Sequence, residues 1–325
     1  MSKSENAKTK KSFNDYWNSY STVAILILML IVFSALKPSA FANAPNYIKI
    51  IEQSSIYILL ACGEFFAIIL GGIDLSVSSV MALSGVVCAK LMVAGWHPVA
   101  AVLVGIFLFG GLVGAINGAL INITKLPPFI ITLGSQSIFR GLTYILSDAR
   151  SVSGISTGFT QFVGGKIGGV IPMPIIIALI VSGLVIFFTT KTKAGRNIYA
   201  LGGNPLSAYF AGITTNTHQL ICFVISGICA SLAGMVNIAR LSSAEPNAGT
   251  GFETYAIAAV IIGGTSFFGG QGTVWKVVIG GIIIGTINNG LNMVGLSSYY
   301  QQMAMGALII MAVTLDRFFG ASKNK

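Results

Sequence analysis

The chain is a succession of apolar runs that water cannot accommodate. They lie at 22–36, 54–70, 77–94, 98–121, 129–146 and 172–190, then at 220–238, 255–268, 274–294 and 300–315, each ended by glycine, proline or charge. A helix crossing the hydrocarbon core needs about 20 mostly apolar residues. Only 9% of the 325 residues are charged and 54% are apolar, whereas a soluble domain carries about 25% charged residues. The pattern predicts an all-α integral membrane protein of about ten transmembrane helices. A single transmembrane domain over 1–325 leaves little chain for a soluble catalytic unit.

The charges orient these spans. With both termini cytoplasmic, twelve of the nineteen Lys and Arg residues fall on the inner face, five on the outer, and Lys90 and Arg140 within spans, as the positive-inside rule requires. Residues 1–20 and 317–325 are then cytoplasmic tails, 190–219 is the longest cytoplasmic loop, and 148–169 and 239–253 are the long outer loops. The net charge of +10 reports topology and contact with anionic membrane lipid. It does not point to nucleic acid, because no basic patch is interleaved with aromatics on a soluble surface. The first run follows four lysines and precedes Ala40, Phe41 and Ala42, which also fits a cleaved leader. Cys62, Cys88, Cys222 and Cys229 fall in or at spans with no disulfide or metal spacing.

Polar groups inside such runs need partners or a pathway. An acid at membrane depth faces a cavity, caps a broken helix or marks a transport route. The stretch Gly71, Gly72, Ile73, Asp74, Leu75, Ser76 places one between two spans. The glycines permit a bend and Asp74 suits the cap of a helix starting near Leu75, so Gly71, Gly72, Asp74 and Ser76 form a candidate helix break or gate. Glu64, Asn117, Gln136, Arg140, Asn288 and Asn289 are further polar groups at membrane depth, able to bond hydroxyls along a path. Glu64 and Arg140 could instead neutralise each other.

Two weakly similar halves are visible. Gly114, Ala115, Ile116, Asn117, Gly118 and Gly285, Thr286, Ile287, Asn288, Asn289 align at an offset of 171 residues. They occupy the fourth and ninth runs, and an odd separation makes the copies antiparallel, the inverted repeat that transporters build around a central site. Gly110, Gly114 and Gly118 form one glycine face suited to close helix packing.

The polar island at 190–219 is the second informative region. Asn204 suits an N-cap, Pro205 a first helical position and Gly212 the residue after the end, so a short surface helix is expected over 205–211. Its apolar Leu206, Tyr209 and Phe210 suit docking onto a partner or onto the chain's own inner face. Gly154, Ser156 and Gly158 match the hydrolase pattern Gly-x-Ser-x-Gly, but with no strand before it and neither His97 nor His218 placed as a base, no catalytic role is expected. No metal ligand set and no cofactor are expected. Nor is there a phosphate-binding Gly-x-x-x-x-Gly-Lys loop.

Taken together, 71–77, 195–204, 252–258 and 263–266 make the chain similar over nearly its whole length to the ribose-type sugar permeases of ATP-binding-cassette importers. Ser78 stands where that family usually carries glycine. The resemblance implies a permease pair, with a second permease copy most simply making a homodimer. It also implies a cytoplasmic ATP-hydrolysing subunit and a periplasmic sugar-binding protein, in a bacterial inner membrane. It implies that Gly195, Arg196, Asn204, Pro205, Leu206, Tyr209, Phe210 and Gly212 belong to the segment coupling to the ATPase. Asp148, Arg150, Arg240, Glu245 and Glu253 on the outer loops would then meet the binding protein by charge. An ion-coupled carrier using Asp74 or Glu64 is the alternative. It would have no need of the island at 195–212.

Overall fold

Twelve main helices build the computed structural model, which describes residues 13–321. Lys3, Lys8, Lys10, Lys11, Lys323 and Lys325, expected on the inner face, lie outside these residues. In chain order the helices are α1 (Phe13–Leu36), α2 (Ala44–Ile69), α3 (Val77–Val93), α4 (Pro98–Thr124), α5 (Pro128–Ser147), α6 (Met173–Lys191), α7 (Lys193–Gly203), α8 (Pro205–Phe210), α9 (Thr215–Leu241), α10 (Phe252–Ile262), α11 (Val274–Val294) and α12 (Ser298–Ala321). A short helix, Thr157–Gly164, and a two-stranded hairpin, Lys166–Ile167 with Ile171–Pro172, occupy the loop between α5 and α6. Six helices, α2, α4, α5, α6, α9 and α11, are long and apolar enough to cross a membrane, and Tyr20–Leu36, α3 and α10 are shorter apolar helices.

Two helices form the centre. α2 starts where Asn43 accepts a hydrogen bond from the Asn46 amide with Pro45 in the first turn, and from Ser54 to Ile69 every residue is buried. A helix apolar all round is a core helix. α9 is its counterpart, and the two cross antiparallel: Glu52 meets Arg240 at one end, and Gly63 lies against the Ser226 carbonyl further along. Shifted by 171 residues, α2, α3, α4 and α5 become α9, α10, α11 and α12, and their pairings repeat. α4 packs on α9 as α11 packs on α2, α3 on α9 as α10 on α2, and α5 on α3 as α12 on α10.

Glycines carry these equivalent seams. A Cβ at Gly110 would crowd the Gly227 carbonyl and Ser231, and one at Gly118 would stand 2.9 Å from the Leu220 Cα; across the other seam, Gly281 faces Ile58 and Gly285 faces Ser54. The expected glycine face is thus a packing face. Residues Val104–Gly111 of α4 form a π-helix. The five-residue step from Gly105 to Gly110 explains it: both glycines press on α9, against Met235 and Ser231, and an i→i+5 turn keeps such a pair on one face.

Several boundaries differ from expectation. The run 255–268 is helical only to Ile262, because Gly263 is packed against Lys276 and Val277, and Gly264 has φ +75°. Residues 193–203, read as loop, form α7, capped by Thr192 accepting from the Gly195 amide. α1 begins at Phe13, inside the expected tail 1–20, and α12 reaches Ala321, inside the expected tail 317–325.

Candidate functional site

α3, with 17 residues, and α10, with 11, are shorter than the two central helices, and each starts beside the midpoint of one of them. Asp74, just before α3, accepts from Ser226, the twelfth residue of the 27-residue α9, and the Phe252 ring at the start of α10 meets edge to face Tyr57, the fourteenth residue of the 26-residue α2. The non-helical stretches 70–76 and 242–251 therefore dip into the protein from opposite sides. Both open on a left-handed residue, Gly71 (φ +76°) and Ser242 (φ +54°), again 171 positions apart. Irregular backbone at membrane depth is tolerated only where protein or a cavity satisfies it.

The break at 70–76, inner in the expected topology as 242–251 is outer, is held by a hydrogen-bond network. Asp74 Oδ1 accepts from the Ser76 amide (3.0 Å) and hydroxyl (2.6 Å), and Oδ2 accepts from the Ser226 hydroxyl (2.7 Å). The Asn117 amide donates to Ser76 Oγ (2.9 Å) and its carbonyl accepts from Ser135 (2.6 Å). Thr132 accepts from the Leu75 amide and donates to the Ile73 carbonyl. Glu64 Oε1 accepts from the Asp74 amide (3.1 Å), while its buried Oε2 has no protein partner. A carboxylate with three donors at the start of α3 also meets the positive end of that helix dipole. Asp74 holds the turn before α3 by accepting from the Ser76 amide, but it is not the expected cap: α3 begins at Val77 rather than near Leu75, and its N-cap position is Ser76, with no side-chain cap bond.

The outer break is held differently. Arg140 does not pair with Glu64; its guanidinium donates to the carbonyls of Pro246 (2.8 Å) and Ala248 (2.9 Å), and Tyr144 donates to Asn247. Sequence alone offers no signal for a cation satisfied by backbone carbonyls. α5 therefore touches both breaks, through Thr132 near its start and Arg140 and Tyr144 further out. Gln136 is half-buried between them, one turn from each.

The asparagines divide. Asn289 forms a reciprocal amide pair with Asn46 (3.0 and 2.9 Å), tying α11 to the start of α2. Asn288 is buried with its amide nitrogen unpartnered. The amide nitrogen of its repeat equivalent Asn117 donates to Ser76, whose own equivalent is the exposed Asn247.

On the inner side, Asn204 caps α8 by accepting from the Ser207 amide, and Leu206, Tyr209 and Phe210 are exposed. Gly195 packs against the Phe188 carbonyl, Arg196 is exposed, and Gly212 has φ +78°. One contact was invisible in the sequence. Gly202, near the end of α7, lies against the Ile69 carbonyl, which accepts from the Gly270 amide (2.8 Å), and Gly269 approaches the Gly71 amide. The loop after α6, the end of α2 and the loop after α10 thus meet backbone to backbone beside the inner break.

Of the outer charges, Arg150 and Glu245 are exposed and Asp148 lies 3.8 Å from Lys90. Arg240 is held by Glu52 at 3.0 Å, and Glu253 has one buried carboxylate oxygen in the first turn of α10.

Paired half-helices set around two crossed central helices, beside a helical inner loop, define a membrane permease. The family model for the permease component of branched-chain amino acid transport systems matches residues 46–313, and the chain belongs to that family. It is 55% identical over 313 residues, 96% of either chain, to the D-allose transport system permease protein of Escherichia coli (strain K12). It is 40% identical over 306 residues to the ribose import permease protein of Haemophilus influenzae, covering 93% of this chain and 94% of the relative. With the galactose/methyl galactoside import permease protein of E. coli it shares 35% over 335 residues, covering 98% and 99%. No solved structure matches the chain.

Proposed function

We propose that this chain is the translocating subunit of an ATP-driven monosaccharide importer, with D-allose as its sugar and ribose-like sugars as the next choice. The observation that carries the reading is the backbone junction at Gly202. It connects the exposed, partner-ready α8 to the end of α2 and so to the Asp74 break. A cytoplasmic ATPase that moves α8 would move α7, and α7 cannot move without shifting Ile69 and Gly71. The saturation of Asp74 by three protein donors removes that acid from the ion-coupled alternative, which is left with Glu64.

The finer reading is as follows. Ten spans cross the inner membrane with both termini cytoplasmic, α3 and α10 each being completed by a non-helical stretch, and two copies assemble over one ATPase unit. Sugar hydroxyls meet the unpartnered Asn288 amide, Glu64 Oε2 and Gln136, whereas Asn117 and Asn289 hold the helices together. The sugar-binding protein docks on the outer face, steered by Arg150 and Glu245. The test is the pair of substitutions Asn204→Gly and Pro205→Gly, which loosen the start of α8. Uptake should fall while ATP hydrolysis by the assembled complex continues, and unchanged uptake would remove α8 from the coupling path.

A further inference from the structure

Between α3, the π-segment of α4 and α5 runs an apolar groove of about 670 Å³, lined by Val87, Leu91, Val104, Leu108 and Leu146, with Lys90, Val93 and Ala94 toward the C-terminal end of α3. The π-turn that serves the glycine seam toward α9 presents Val104 and Leu108 to this groove on its other side. Val77 lies at mid-depth, and Lys90, 13 residues on at 1.5 Å each, stands about 20 Å outward, at the headgroup level of a bilayer whose apolar half is about 15 Å thick. The exposed Trp96 marks the same level.

The charge at that end is a pair. Lys90 Nζ and Asp148 Oδ2 are 3.8 Å apart, with side chains 46% and 83% exposed, so their mutual attraction is weak and each is open to another partner. Phosphate complements the first and a primary ammonium the second. We propose that this groove binds one phosphatidylethanolamine molecule of the outer leaflet. Its phosphate sits on Lys90, its ammonium donates to Asp148, and an acyl chain lies along Leu91, Val104 and Leu108. Asp148 then belongs to a lipid site and not to the docking of a delivery protein. The proposal rests on the membrane-spanning reading of α3 to α5 and is independent of which sugar is carried.

The test uses the full chain in nanodiscs containing phosphatidylethanolamine or phosphatidylcholine, each with a diazirine in mid-acyl chain, followed by peptide mapping. Trimethylation removes the donors that Asp148 would accept. Peptides carrying Leu108 and Leu146 should be labelled about fivefold more by the ethanolamine lipid, below what a buried hydrogen bond to a charged group would give because the pair is exposed. Asp148→Asn and Lys90→Gln should each bring that ratio toward one. If either variant fails to insert, the ratio in the native chain decides alone. Equal labelling by both lipids overturns the proposal and leaves bulk lipid in the groove. Disulfide capture of a second copy through Leu108→Cys overturns it in favour of a subunit interface.

Discussion

Replacing Gly202 by alanine strikes the junction between the inner loop and the helix break directly. A Cβ there overlaps the Ile69 carbonyl and stands 2.9 Å from the Gly270 amide nitrogen. Both neighbours are backbone, so no rotamer change relieves the clash, and α7 must retreat by on the order of 1 Å, at the 1–3 kcal/mol typical of overpacking. The retreat also endangers the 2.8 Å hydrogen bond from Gly270 to Ile69, worth about 1 kcal/mol. Some 2–4 kcal/mol is thus removed from the contact that transmits movement, against a factor of ten for every 1.4 kcal/mol. Gly203 is the control: a Cβ there meets nothing within 4 Å. In proteoliposomes with the ATPase and a loaded binding protein, Gly202→Ala should lower ATP-driven sugar uptake about tenfold or more. ATP hydrolysis should stay within about twofold, and Gly203→Ala should behave as the native chain. Full uptake by Gly202→Ala, or equal damage from Gly203→Ala, would refute the junction as a transmitter.

Three further outcomes follow from the same geometry. Thr132→Val strands the Leu75 amide and should lower the stability of the purified protein by about 1–3 kcal/mol, read as a fall in thermal midpoint, whereas Ser137→Ala on the exposed face of α5 should not. Asn117→Leu removes the partner of Ser76 and Ser135 and should impair folding and assembly, whereas Asn288→Leu, which removes an amide nitrogen with no partner among the described residues, should assemble normally and slow uptake. If Asn288→Leu transports at the native rate, its unpartnered amide is not on the path. Arg140→Met removes both carbonyl contacts of the outer break and should raise protease sensitivity at 242–251 without affecting ATPase assembly, as limited digestion would reveal.

Local chemistry was readable in the sequence where one residue suffices to specify it. Asn204 and Pro205 fixed the start of α8, Asp74 and the glycines marked the inner break, and one offset of 171 residues exposed the repeat. What stayed hidden depends on partners distant in the chain. Arg140 reads as the natural counter-ion of Glu64 until the fold brings Pro246 and Ala248 carbonyls to it. Residues 193–203 read as loop because their polar face is long and their apolar one is short, only Gly195, Ile198 and Leu201 being buried. The run 255–268 counts as a span by hydropathy, yet its helix is 11 residues long, about 16 Å, because the loop before α10 already enters at mid-depth. Hydropathy counts apolar residues and cannot tell a span from a half-helix whose missing part is supplied by a dipping strand of backbone. The amide nitrogen of Asn117 differs from that of Asn288 because Ser76 accepts from the first, while Asn247 stands at the equivalent place for the second, on segments that meet only in the folded chain.

The most direct measurement is uptake of labelled D-allose by proteoliposomes containing this chain, its ATPase and a sugar-loaded binding protein. Accumulation should require ATP, the ATPase and the binding protein together, and should be unaffected when proton and sodium gradients are collapsed. Accumulation driven by an ion gradient with neither ATP nor the ATPase present would contradict the account.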